Sequence, residues 1–258
     1  MSERRPLRIG HKGADAIAPG NTIAGFEAAV GAGVDIIELD VLRPRGDFSD
    51  PDGWRDAPGG PAEGSGPLLV AHDWGAAKRG EPPTLEQALD AFTRPPLDRV
   101  RIDLDLKVAG REDEIVAALH KRDLLERAMV SGMELPGLRW LAGNAPEVKL
   151  GWTVPRFTRD WRRERGAALV APAWKLVMQR RLPGLAAREA PKLGAWAVWV
   201  YHPLITARLT AAAAEAGVAV IAWTVDSPER MRVLAGLGVH GIVSNDPRLF
   251  FGLEPEAG

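Results

Sequence analysis

Short runs of apolar, often β-branched residues alternate along this chain with longer stretches whose apolar positions recur every three to four residues. The runs LRIGH (7–11), DIIELDV (35–41), RVRIDLDLK (99–107), AMVSG (128–132), KLGWTV (149–154), ALVAPAW (168–174), AVWVY (197–201), VAVIAWTV (218–225) and HGIVS (240–244) predict strands. Most of the intervals predict helices. Residues 22–32 set Ile23, Phe26 and Val30 on one face and stop at Gly33, and 208–216 and 228–237 also run into a glycine. Strand-then-helix units repeated about eight times predict a parallel sheet closed as a (β/α)8 TIM barrel, with a doubly wound open sheet as the second architecture.

One stretch breaks this rhythm. Residues 44–67 are crowded with Gly, Pro and Asp and have little apolar periodicity, which predicts a long Gly/Pro-rich insertion in the loop after the second strand, either a mobile insertion or a functional lid. At 258 residues, 46% hydrophobic and 26% charged, the chain suits one globular unit with a large core, so residues 1–258 are expected to form a single domain.

Composition narrows the function. A formal net charge of −1 gives no overall field to attract nucleic acid or an acidic membrane, so the expected partner is a small molecule held at a local site. The absence of cysteine removes disulfides, thiolate metal sites and a cysteine nucleophile. No uninterrupted apolar run is long enough to span a membrane, and the N-terminal MSERRPLRIGH has no signal-length apolar stretch. A cytoplasmic protein without a stable membrane anchor is expected, although an exported chain whose leader had been removed would read the same. Oligomeric state stays open.

The charged residues inside the strands carry the chemistry. Glu38 and Asp40, two apart, point to one face of their strand, and Ile37, Leu39 and Val41 to the other. Asp103, Asp105 and Lys107 repeat the design on a second strand. In a barrel the apolar set would face the helices and the charged set the interior, where buried charge is costly unless compensated. Converging carboxylates without a cysteine or histidine cluster suit a hard cation such as Mg²⁺ or Ca²⁺. The alternative is a set of inward salt bridges, for example Asp105 with Lys107. His11 and His72 stand at strand ends beside the acidic strands, where a histidine pair can act as general acid and base. His120 and His240 read as helix and loop residues, and His202 is undecided. No nucleophile-elbow serine motif or Walker-type glycine loop is present.

The order of these pieces resembles the glycerophosphodiester phosphodiesterase family. The matching segments are His11-Lys12-Gly13, Pro19-Gly20-Asn21-Thr22, Glu38-Leu39-Asp40-Val41, His72-Asp73, PTLEQAL (83–89), DLK (105–107), AWTV (222–225) and GVHGIVSNDP (238–247). The resemblance implies a TIM barrel, a divalent cation, and hydrolysis of glycerophosphodiesters to glycerol 3-phosphate and an alcohol. It implies Glu38, Asp40 and Asp105 as metal ligands, His11 and His72 as the acid/base pair, Lys12 and Lys107 as phosphate contacts, and Trp223 as a wall of the substrate pocket. Five features depart from the family pattern, the first being the short stretch after His72-Asp73, where many members carry a larger insertion. Lys12 stands for an arginine, Gly20 for an acidic residue and Asp105 for a glutamate, and Ser244-Asn245 stands for Thr-Asp. If the strand after 44–67 returns antiparallel with Asp40 opposite His72, Val41 meets Ala71 and Leu42 meets Val70, which sets the insertion over the barrel mouth to screen substrates. Two other readings are a lysophospholipase D or sphingomyelinase D-like enzyme that forms a cyclic phosphate, and a non-catalytic barrel that binds a phosphorylated ligand.

Overall fold

The computed structural model describes residues 5–43, 66–107, 109–156 and 167–253. The predicted insertion and its placement over the mouth therefore lie, for 44–65, outside the described residues. Among the described residues the nine strands are β1 (Leu7–Gly10), β2 (Ile36–Leu42), β3 (Leu69–Val70), β4 (Arg101–Leu106), β5 (Ala128–Gly132), β6 (Lys149–Val154), β7 (Ala195–Tyr201), β8 (Ala219–Trp223) and β9 (Gly241–Ser244). All but β3 are parallel to their neighbours, and β1 pairs with both β2 and β9, so the sheet closes on itself. The fold is a (β/α)8 TIM barrel, and closure excludes the open doubly wound sheet.

The helices are α1 (Ile23–Gly31), α2 (Trp74–Arg79), α3 (Leu85–Ala91), α4 (Glu112–His120), α5 (Leu135–Asn144), α6 (Ala167–Gly184), α7 (Ala190–Lys192), α8 (Ala207–Glu215) and α9 (Pro228–Gly236). Their ends follow local chemistry. The side chains of Thr22, Thr206 and Ser227 accept hydrogen bonds from the amides of Gly25, Leu209 and Arg230, capping α1, α8 and α9. None of the described residues forms a helix long and apolar enough to cross a membrane.

The strand faces divide as the alternation predicts. Ile37, Leu39, Val41, Ile102, Leu104 and Leu106 are buried in one outer cluster with the helix residues Phe26, Leu85, Leu89 and Ile115. Ile9, Ile36, Met129, Trp199, Ile221 and Val243 form a separate inner cluster. Ile36, Glu38 and Asp40 share one face of β2, so the interior changes from apolar to acidic toward the C-terminal ends of the strands. Active sites of TIM barrels are built at that end.

Two sequence expectations are corrected. ALVAPAW is not a strand but lies within α6. Because β6 pairs directly with β7, the barrel has no place for another strand there. A short apolar run does not by itself distinguish strand from buried helix. The return strand β3 is antiparallel to β2, but one residue out of the expected register: Val41 pairs with Val70 and Leu42 with Leu69. This register keeps Val41 and Val70 together in the outer cluster, while Leu42 packs with Ala71, Trp74 and Leu69 in another. The expected pairing would have set these residues across faces, because a one-residue slip inverts every side chain. Hydrogen bonds from Val70 N to Pro83 O (2.9 Å) and from Leu85 N to Leu68 O (2.8 Å) pin the return strand from its other edge.

Candidate active site

The loop after β1 is built to bring backbone donors to acidic side chains on β2. Lys12 and Asn21 have positive φ (52° and 59°), as does Gly13 (89°), where a Cβ would lie 2.6 Å from the backbone of Gly25. This tight path lets Lys12 N donate to Glu38 Oε2 at 2.8 Å. Asn21 Nδ2 donates to Asp40 Oδ2 at 2.7 Å, and Asn21 Oδ1 accepts from Asp40 N at 3.1 Å. Asn21 thus fixes the aspartate from both ends, although the sequence marked it only as part of a motif.

Residues Asp40 and Asp105 are register partners on adjacent strands. Donor oxygens of Glu38, Asp40 and Asp105 all lie within 4.8 Å of one another. The inward salt bridge expected as the alternative is formed, because Lys107 Nζ lies 2.5 Å from Asp40 Oδ1 and 2.5 Å from Asp105 Oδ2. One level deeper, beside Glu38, Asp103 is fully buried and accepts from Ser131 Oγ at 2.8 Å.

The electrostatics leave room for more positive charge. Burial, followed by the neighbouring Asp40, pushes the Glu38 carboxyl well above its ordinary range, and burial with Asp105 does the same to Asp103. Burial would also raise Asp40, but Lys107 and then His72, Lys12 and His11 outweigh it and hold that carboxyl well below its ordinary range. Burial opposes the charge on Lys107, yet Asp105, Asp40 and Glu38 keep its ammonium protonated far beyond the ordinary lysine range. Lys107, helped at Asp40 by Lys12, therefore faces four buried or half-buried carboxyls. Asp105 Oδ1 and Asp103 Oδ1 are buried without a hydrogen-bond partner. Unpartnered carboxylate oxygens beside a clustered oxygen donor set fit a hard divalent cation.

Both predicted histidines stand at this end of the barrel, near enough to Asp40 to lower its carboxyl pKa. Burial, then Lys12, pulls the His11 pKa below the ordinary 6.5, partly opposed by Asp40. Its Nδ1 lies 2.6 Å from Asn245 Oδ1. Behind Asn245 stands Asp226, which accepts from Asn245 Nδ2 (2.6 Å), Asn245 N (2.9 Å) and Ser244 Oγ (2.9 Å). His72, with 42% of its side chain exposed, has Nδ1 3.1 Å from Asp73 Oδ2. The other Asp73 oxygen caps α2 by accepting from Ala76 N at 2.7 Å.

Elsewhere around the rim, Trp223 at the end of β8 is paired with Tyr201 at the end of β7, with ring centroids 5.6 Å apart. The ammonium of Lys12 lies 3.9 Å from Asp15, and Asp15 Oδ1 accepts from Gly20 N at 3.0 Å. A Cβ on Gly20 would lie 2.4 Å from that oxygen, so Asp15 fills the space a side chain at position 20 would need. His202, undecided from sequence, accepts from Arg230 of α9 through both its ring and its carbonyl. His240 Nδ1 accepts from Val220 N at 3.3 Å, where it ties β8 to the start of β9.

Sequence reasoning missed Asp226, and noted Asn245 only as a departure from a pattern. Their signal was positional: each follows a barrel strand, and β8 and β9 are neighbours.

Known proteins place this geometry in a family. The model of the glycerophosphoryl diester phosphodiesterase family matches residues 81–249, a span holding Asp105, Lys107 and Trp223. A glycerophosphodiester phosphodiesterase of Caldanaerobacter subterraneus subsp. tengcongensis is 25% identical over 286 positions, covering 98% of this chain and 100% of that protein. That alignment also runs across the N-terminal half of the site. Among solved structures, a glycerophosphoryl diester phosphodiesterase of Silicibacter pomeroyi superposes with a TM-score of 0.68 at 21% identity, covering 96% of this chain and 93% of that one. A phosphodiesterase of Oleispira antarctica in complex with the product sn-glycerol 3-phosphate gives 0.65 at 20% identity, covering 97% and 98%. With the family model matching well over half of its length, and a relative of that name aligned from end to end, this chain belongs to the glycerophosphoryl diester phosphodiesterase family.

Proposed function

We propose that this protein hydrolyses glycerophosphodiesters to sn-glycerol 3-phosphate and an alcohol, using a divalent cation and the pair His11 and His72. The observation that carries this reading is a convergence at the C-terminal end of the barrel. Three carboxylate oxygens lie within 4.8 Å of one another, and two histidines face the same Asp40. In this reading Glu38, Asp40 and Asp105 hold the cation, which is Mg²⁺ or Ca²⁺ by the hardness of its donors. Bound there, such a cation supplies Lewis-acid withdrawal of charge from phosphoryl oxygens.

The remaining work belongs to the chain. Lys12 and Lys107 place ammonium groups beside the phosphate, and Trp223 with Tyr201 walls the opposite side. One histidine removes the proton of the attacking hydroxyl, which belongs to water or to the substrate's own glycerol; in the second case a cyclic phosphate forms first and a water then opens it to glycerol 3-phosphate. The other gives a proton to the departing alkoxide. Positioned groups of this kind each contribute about 10²- to 10⁴-fold.

The test is ³¹P NMR of glycerophosphocholine, glycerophosphoethanolamine and a lysophospholipid incubated with the protein and Mg²⁺ or Ca²⁺. Appearance of glycerol 3-phosphate from the first two supports the proposal. A cyclic phosphate as the end product from the lysophospholipid alone would move the assignment to the cyclising enzymes. No reaction with any diester would leave the non-catalytic barrel standing.

A further inference from the structure

The chain Asp226–Asn245–His11 has a direction. Asp226 carries a carboxylate, which only accepts hydrogen bonds, and it sits 2.6 Å from Asn245 Nδ2. The Asn245 amide is therefore oriented with its nitrogen toward Asp226 and its oxygen toward His11. That oxygen, 2.6 Å from His11 Nδ1, also only accepts, so Nδ1 must carry the proton. Two further hydrogen bonds, from Ser244 Oγ and Asn245 N, hold the carboxylate in place. In the neutral ring a proton on Nδ1 leaves Nε2 as a bare lone pair.

We infer that Asn245 and Asp226 are positioning residues that lock His11 as the Nδ1–H tautomer, making it the group that removes a proton and leaving donation to His72. The inference rests on the phosphodiesterase reading for its chemistry, though not for the tautomer itself. In the step it assigns, His11 Nε2 takes the proton of the attacking hydroxyl as that oxygen bonds to phosphorus. The bond from phosphorus to the leaving oxygen breaks, its electron pair stays on that oxygen, and His72 supplies the proton that completes the alcohol. The partner of His11 is a neutral amide with the carboxylate one residue further away, so no anion at this link draws a second proton onto the ring. The other charged groups facing His11 are Lys12 on its own loop, Asp40 on β2 and Lys107 beyond β4. Two of the three are cations.

The primary test reads the native protein and uses a variant only to assign the signal. Long-range ¹H–¹⁵N correlation on the ¹⁵N-histidine-labelled protein, assigned with His11→Ala, reads the tautomer directly. Nδ1–H is expected at His11 and Nε2–H would overturn the inference. In Asp226→Ala the Asn245 amide is free to turn over. Its nitrogen can then donate to His11 Nδ1, and the ring is expected to shift to Nε2–H with kcat reduced about 10²-fold or more and KM little changed. Asn245→Asp and Asp226→Asn are each expected to lose turnover, and their combination, which exchanges the two side chains, to recover at least tenfold over either alone. That exchange sets a carboxylate against His11, so the acid limb of kcat/KM must move to higher pH, a change that a merely structural pair would not produce. If Asp226→Ala leaves the tautomer and kcat untouched, the inference fails. If the native protein cleaves no diester, the proposed function fails and the spectra still decide the tautomer.

Discussion

The two histidines differ in surroundings more than their shared strand-end position suggested. His11 is enclosed beside two lysines, and His72 is open to solvent against the Asp73 carboxylate. His11→Ala and His72→Ala are each expected to lower kcat about 10²- to 10⁴-fold with unchanged circular dichroism and melting temperature. Unchanged kinetics in either would remove that residue from the reaction. Burial and Lys12 disfavour the imidazolium form of His11, so its ring stays neutral to lower pH than a free histidine. The acid limb of kcat/KM attributable to it should accordingly fall below pH 6.5, and a pH–rate profile with that limb at or above 6.5 would contradict this account. The types and faces of these residues were legible in the sequence because alternation along a strand is strict. Their partners were not, since Asn245 meets His11 across 234 positions of chain.

Among the elements, the β1–α1 loop has little room for change. A Cβ on Gly13 would press on the Gly25 backbone at a φ of +89°, and one on Gly10 would lie 2.1 Å from Gly13 O. Gly13→Ala is therefore expected to displace the Lys12 amide from Glu38, lowering both the melting temperature and turnover in the presence of cation. Differential scanning calorimetry with an activity assay on the same sample checks it. Asp73 serves two elements at once, as N-cap of α2 and neighbour of His72. Asp73→Ala should cost about 1 kcal/mol from the lost cap and should also lower kcat, whereas Thr84→Ala at the capping box of α3 should cost a similar amount and leave kcat alone. The C-terminal ends of α1, α8 and α9 were readable from sequence because the glycines that follow them, Gly33, Gly217 and Gly238, act locally through their positive φ. The identity of 168–174 and the register of β3 were not, because pairing partners outside those segments decide both.

At the scale of the molecule, closure of the barrel does what no single strand can. It brings β1, β2, β4, β8 and β9 into one ring, so that residues from opposite ends of the chain meet at one mouth. The repeat of strand and helix made that architecture readable, and the two acidic strands pointed to its interior. If 1–258 is one domain, thermal unfolding followed by tryptophan fluorescence and by far-ultraviolet circular dichroism should coincide in a single transition. A cation that binds only the folded barrel should raise that transition with the logarithm of its concentration once that exceeds its dissociation constant.

The most direct measurement is the release of sn-glycerol 3-phosphate from glycerophosphocholine by the purified protein, before chelation, in EDTA, and after Mg²⁺ or Ca²⁺ is restored. Product should form, stop on chelation and resume with the cation. Undiminished turnover in EDTA, or no product with either cation, would contradict the account.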